Sequence, residues 1–136
     1  MKVAAIDYGT RRVGLAISDE LGMFAHPLAV VESDDPEKRF QQVSDILEKS
    51  QVTDVLIGLP KHMDGSEREE ALAVKAFACK LEQLGRFSVK LRDERLSTVQ
   101  ASRLMREAGR SAKQQKSKID AAAAVVLLQA YLDSSD

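Results

Sequence analysis

Two apolar runs, residues 2–7 and 13–18, are separated by only five residues, Tyr8-Gly9-Thr10-Arg11-Arg12. Both are short and rich in Val, Ile and Ala, the composition of buried strands. A parallel crossover needs roughly a dozen residues or more, so a gap this short makes the two runs antiparallel neighbours. A third strand is expected around Phe24 to Val31, after the Leu21-Gly22 turn, and extends the pair into an antiparallel meander.

Beyond that point the pattern changes period. Asp35-Pro36 reads as a helix start, with Asp as N-cap and Pro at the first helical position, and Phe40, Val43 and Leu47 form the apolar face up to about Ser50. Val55-Leu56-Ile57 is a continuous apolar run and suits a buried strand parallel to the first. Ser66 and Glu69 make a capping box for a helix that carries Val74, Phe77, Ala78, Leu81 and Leu84 and stops at Gly85. Phe87 to Leu91 is a fifth strand, and Ser97 with Gln100 opens a helix to about Ala108. Gly109 to Lys118 is polar and Lys-rich and is expected to be mobile. A last helix is expected from about Ile119 to Leu132, packing Ala123, Val126, Leu127 and Ala130.

The order βββαβαβαα combines a meander with two right-handed crossovers. It predicts a single α/β domain: a mixed five-stranded sheet flanked by helices, with the first strand near its centre. Ligands of open α/β sheets gather outside the carboxyl ends of the strands. Asp7, the segment from Pro60 to Asp64, and Glu94 all fall at that end.

Composition narrows the setting. With 44% hydrophobic and 30% charged residues, the chain is of ordinary globular type. Its first apolar run is interrupted by Asp7, so no signal peptide is expected, and its longest apolar block, Ala121 to Leu128, falls short of the roughly 20 residues that span a bilayer. One cysteine, Cys79, excludes an internal disulfide and suits a reduced, cytoplasmic setting, where it is expected to be a small packing residue. The net charge of −1 conceals an asymmetry: residues 86–118 hold ten Lys and Arg against Asp93, Glu94 and Glu107. That segment carries +7 and the remainder −8, so a polyanionic partner is compatible with a nearly neutral chain. A solvated basic helix with its loop would show the same pattern.

Three carboxylates stand at breaks in the pattern: Asp7 ends the first apolar run, Glu94 follows the fifth strand and Asp120 precedes an Ala-rich stretch. Carboxylates at the ends of buried elements need compensating charge. Divalent ions held about 3.5–4 Å apart would supply it together with phosphodiester-cleaving chemistry, one ion activating water and the other stabilising the leaving oxygen. Hard oxygen ligands favour Mg²⁺ or Mn²⁺, and no Cys/His cluster suits zinc. Each acid has a plain structural alternative. Asp7 could bond the backbone of its own turn. Strand alternation does not choose between Asp93 and Glu94. Asp120 could be an acid favouring the first turn of its helix.

The turn after Asp7 suits phosphate: Gly9 lets backbone N–H groups approach an anion, and Thr10 and Arg11 add donors. The same D-x-G-T pattern occurs in actin-like ATPases, but those have two such loops and this chain has one. His62 could contact a phosphate or remain solvated, whereas His26, before Pro27, is expected to be structural. Arg95, Arg103, Arg106, Arg110, Lys113, Lys116 and Lys118 are candidate backbone anchors.

The combination of Asp7-Tyr8-Gly9-Thr10-Arg11-Arg12-Val13-Gly14, Gly58-Leu59-Pro60 with Met63-Asp64-Gly65, Asp93-Glu94-Arg95-Leu96-Ser97-Thr98, and Asp120 before an Ala-rich helix resembles the YqgF/RuvX family over nearly the whole chain. The resemblance implies an RNase H-like fold and a nuclease of the resolvase branch. It favours Glu94 over Asp93 and makes Asp120 a metal ligand beside Asp7. It implies action on the 5′ end of pre-16S rRNA in ribosome biogenesis, with Holliday junction resolution as the other activity proposed for the family. Two positions depart from the pattern: His62 stands where Asn is expected, and Ala123 where better-known junction resolvases carry a second acid. A binding module in ribosome assembly or transcription would keep the basic segment without needing all three acids. Neither reading fixes an oligomeric state, and no membrane association is expected.

Overall fold

The computed structural model describes residues 2–9, 11–59, 69–93 and 113–134, with side chains of the last segment described from Ala121 onward. Its elements are β1 (Val3–Tyr8), β2 (Arg12–Ser18), β3 (Ala25–Glu32), α1 (Pro36–Lys49), β4 (Asp54–Leu59), α2 (Glu69–Glu82), β5 (Ser88–Asp93) and α3 (Lys113–Asp133). The strands form one sheet in the order β3-β2-β1-β4-β5. β1 pairs antiparallel with β2 and parallel with β4, β2 pairs antiparallel with β3, and β4 pairs parallel with β5. The expected meander, the two parallel strands and the central place of β1 are all present.

Burial follows from that topology. β1 is covered on both faces, so its consecutive residues Ala4, Ala5 and Ile6 are all fully buried. Successive side chains point to opposite sides, which splits the interior into two cores. On one side Ala4, Ile6, Val13, Leu15, Val55, Ile57 and Leu59 meet α1 and α2 through Phe40, Val43, Leu47, Val74, Phe77 and Leu81. On the other side Ala5, Ala16 and Leu56 meet Ala123, Ala124, Leu127 and Leu128 of α3. The second core is built largely from alanine, which lets the helix approach the sheet closely.

Local chemistry ends the elements. Asp35 caps α1, its Oδ1 accepting from the Glu37 N–H at 3.0 Å, with Pro36 in the first turn. Gly85 takes φ +74° just past α2, the left-handed conformation that glycine adopts without a Cβ clash. β3 carries a bulge opposite Leu15 and Ala16, and its Pro27 is tolerated because β3 is an edge strand.

Several expectations change. Positions 113–118 belong to α3, which therefore starts six residues before Ile119; the stretch is Lys- and Gln-rich, lacks Gly and Pro, and continues the turn the alanines favour. The buried face of α3 is Ala121, Ala123, Ala124, Leu127 and Leu128, with Val126 and Ala130 only partly covered. Cys79 is exposed on α2, because Phe77, Ala78 and Leu81 already fill the buried stripe. His26 is exposed on the edge strand, opposite Ile17 of β2. The Ser66 and Ser97 capping boxes and the helix expected from Ser97 to Ala108 lie outside the described residues, apart from Glu69, which opens α2. Among the described residues no helix is long and apolar enough to cross a membrane.

Candidate active edge

Asp7 is next to last in β1 and is 8% exposed. It shares the side of Ala5, two residues earlier, and Ala5 packs under α3. Its cross-strand partner on β2 is Gly14. On the other flank the parallel register runs Ala5 to Leu56 and Ile6 to Ile57, so the next residue of β4 is Gly58. The carboxylate thus rises from the sheet with a glycine at the facing position of each neighbouring strand.

The direction of α3 locates Asp120. Gln129 of α3 accepts from the Ala25 N–H at 2.9 Å and donates to the Met23 carbonyl at 3.0 Å, both at the β2–β3 turn. That turn lies at the end of the sheet opposite Asp7. Position 120 is nine residues earlier in the helix, about 13 Å back along the axis at about 1.5 Å per residue. α3 therefore runs antiparallel to β1 and carries Asp120 toward the Asp7 end. Asp120 is inside the helix, the eighth residue of α3, so it is not an N-cap or a first-turn acid.

β5 decides part of the remaining ambiguity. Asp93 pairs with Leu59, which belongs to the α1/α2 core, so Asp93 stands on the side opposite Asp7. Arg92 pairs with Gly58 and stands on Asp7's side. Glu94 lies outside the described residues, as do Thr10, His62, Arg95, Arg103, Arg106 and Arg110. Lys113, Lys116 and Lys118 are on α3 ahead of Asp120. Among the described residues no group of three His, Cys, Asp or Glu side chains is placed to hold a metal ion.

The turn after β1 is tightly built. A Cβ on Gly9 would stand 2.5 Å from the Arg12 carbonyl oxygen, so this position excludes any other residue without a shift of backbone. Arg11 is paired with Asp34 at 2.8 Å, both highly exposed, and its carbonyl accepts from the Ser33 N–H at 3.0 Å. A pair so exposed contributes under about 1 kcal/mol, so an arriving phosphate can compete for Arg11.

Behind the turn sits a residue that the sequence reading passed over. Arg39 is 4% exposed on α1; it donates to the Ser33 carbonyl at 2.7 Å and to the Tyr8 hydroxyl at 3.3 Å. Its Nε has no hydrogen-bond partner. Tyr8 also packs on Phe77, ring centroids 4.7 Å apart. Arg39 thereby ties the end of β1 to the segment that holds Arg11. The signal was present: Arg39 is four residues before Val43, on the apolar face of α1.

A protein of Halothermothrix orenii named "Putative pre-16S rRNA nuclease" is 41% identical over 133 residues, covering 98% of this chain and 95% of its own. The resolvase of Fowlpox virus, solved with Holliday junction DNA, superposes with a TM-score of 0.55 at 12% identity, covering 98% of this chain and all of that one. The RuvC protein of T. thermophilus, solved with a Holliday junction substrate, gives 0.53 at 18% identity and covers 96% of this chain and 93% of that one. These likenesses establish the fold as RNase H-like. The family model described as "RuvX: Holliday junction resolvase" matches residues 1–134, and the chain belongs to the RuvX family.

Proposed function

We propose that the protein is a single-domain, cytoplasmic, metal-dependent nuclease that hydrolyses phosphodiester bonds, with the 5′ end of pre-16S rRNA as its substrate. The observation that carries this is the enclosed Asp7 carboxylate at the carboxyl end of the central strand, flanked by Gly14 and by the Gly58 position, on the side where α3 brings Asp120. The names of the curated relatives support RNA as substrate. Asp7, Glu94 and Asp120 would hold Mg²⁺ or Mn²⁺, because carboxylate oxygens are hard donors and the flanking glycines leave lateral room for an ion. A divalent ion bound there supplies Lewis-acid activation of water and charge neutralisation at the leaving oxygen.

The chain's own residues do the rest. Gly9 lets the backbone of the turn approach a phosphate, and Thr10 and Arg11 donate to it. Arg39, through Tyr8 and Ser33, keeps that turn in register with Asp7. His62, Arg95, Arg103, Arg106, Arg110, Lys113, Lys116 and Lys118 hold the flanking backbone of the nucleic acid.

The test is cleavage by wild type and Asp7→Asn of structured precursor rRNA, single-stranded RNA and a four-way DNA junction, each with Mg²⁺ or Mn²⁺. Asp7→Asn should abolish cleavage and leave folding and binding intact; cleavage that persists in the purified variant removes the central claim. Paired nicks in the junction alone would make the protein a resolvase. Binding of RNA with no cleavage by wild type would make it a ribosome-assembly binding module.

A further inference from the structure

Among the described residues, the side of the sheet that carries Asp7 is only partly roofed. α3 lies chiefly over β1, β2 and β3, and its coverage fades at β4. On β5 the side chains of that face are Ser88, Lys90 and Arg92, and Ser88 and Lys90 are exposed. With Val3, Asp54, Leu56 and Tyr131 of α3, Ser88 and Lys90 line a shallow groove.

Register orders these residues relative to Asp7. Arg92 is beside Gly58, and Gly58 follows Ile57, which pairs with Ile6. Arg92 is therefore two strands from Asp7, about 10 Å at about 4.8 Å per strand, with Gly58 on the strand between them. Lys90 is about 6.6 Å further back along β5. The Arg92 guanidinium lies 6.0 Å from the Tyr131 ring centre, and its buried Nε has no hydrogen-bond partner. Among the described residues neither Arg92 nor Lys90 makes an ion pair, whereas Arg11, Arg12, Lys80 and Arg86 each have a carboxylate. Among the described residues Asp54, beside Ser88, is the one acid of the groove and stands at its far end.

Two cations and an aromatic ring on an open surface continuous with a phosphodiester-cleaving edge match the needs of a single strand. Cations follow the backbone, and the ring stacks a base whatever its identity. We propose that the β4–β5 face is a track for the single-stranded segment of the substrate that leaves the Asp7 edge. Its phosphates meet Arg92 and then Lys90, and one base rests on Tyr131. The proposal rests on the nucleic-acid reading above and adds Lys90, Arg92 and Tyr131 to the anchors that the sequence offers between Arg95 and Lys118.

The experiment is equilibrium binding without divalent ion, so that cleavage plays no part. The probes are a blunt duplex and the same duplex with a single-stranded overhang of about six nucleotides, each in RNA and DNA. Wild type should bind the overhang about tenfold tighter than the blunt end. Lys90→Gln with Arg92→Gln should erase that gain, keep blunt-end affinity, and lower the salt slope for the overhang by about 1.4, the value for two contacts to a single strand. Tyr131→Leu should reduce the gain, and Tyr131→Phe should retain it. Circular dichroism checks that each variant folds, and Lys90→Ser with Arg92→Ser replaces a pair that does not. An overhang gain untouched by the double variant overturns the track, as does an equal loss on blunt and overhang probes. A wild type that cuts blunt substrates yet gains nothing from the overhang overturns the track alone. One that binds the overhang as expected and cuts nothing retains the track and overturns the nuclease reading.

Discussion

The Arg39 guanidinium holds the Ser33 carbonyl and the Tyr8 hydroxyl in a place that water does not reach. Removing it leaves both oxygens without their donor and a cavity beside Tyr8. Arg39→Ala is expected to destabilise the protein by about 2–4 kcal/mol in urea unfolding, with Arg39→Met recovering part of the packing. Activity should fall further than stability explains, because the turn after Asp7 loses its anchor; equal activity per folded molecule would show that Arg39 serves packing only. Gly9→Ala is a second probe of that turn. Its methyl group meets a backbone oxygen, so the turn must shift, and a large loss of cleavage is expected together with a lower urea midpoint. The sequence identified Asp7 and Gly9 because a polar residue and a glycine interrupt an apolar run. It did not separate Asp93 from Glu94, since strand alternation assigns sides only after one neighbour's side is known. Leu59 supplied that neighbour and put Asp93 opposite Asp7. Cys79 was misjudged and Arg39 passed over for a related reason: in a helix, burial depends on which of several adjacent rows meets the sheet.

Among the elements, α3 depends most on close fit. Ala5, Ala16, Ala123 and Ala124 allow the helix to lie against β1 and β2. Ala124→Leu adds bulk where nothing can yield and should cost about 1–3 kcal/mol. It should also lower cleavage sharply, because a helix pushed off the sheet carries Asp120 with it; unchanged turnover in this variant would separate α3 packing from the active edge. The β2–β3 turn is a second local device. Asp19 accepts from the Met23 N–H at 2.8 Å, and this hydrogen bond holds its carboxyl below the usual value of 3.8. A lowered folded value stabilises the turn above pH about 4 and is lost as pH falls through it. The stability difference between wild type and Asp19→Ala should therefore shrink on acidification below pH 4, and a constant difference would remove the role of the charge. Element order and type were legible from period and caps. The start of α3 was not: residues 113–118 are as polar as a loop, and their helicity is decided by the alanine stretch they continue.

Across the whole molecule, charge and topology act together. Residues 86–118 carry the excess of positive charge, and β5 and the start of α3 place the described part of it at the sides of the Asp7 edge. Nucleic-acid affinity should fall steeply with salt. Arg103→Ala with Arg106→Ala should weaken binding alike on all sequences and lower the slope by about 1.8 on a duplex. A slope that does not change would place the duplex elsewhere. The topology was readable because short gaps force antiparallel pairing and long ones permit parallel pairing, which leaves few arrangements for five strands.

The sheet also works as a partition. Phe40, Phe77 and most of the large aliphatic side chains lie on one side, and Asp7 stands on the other with Ala5, Ala16, Ala123 and Ala124 beside Leu56, Leu127 and Leu128. Engineering for heat resistance can therefore proceed from the α1/α2 side, by filling and stiffening that core away from Arg39 and Tyr8, while the side that carries Asp7 is left untouched. The exposed thiol of Cys79 on α2 adds a convenience there: the chain has one attachment point for a dye or a support, on a helix that packs on the side of the sheet opposite Asp7.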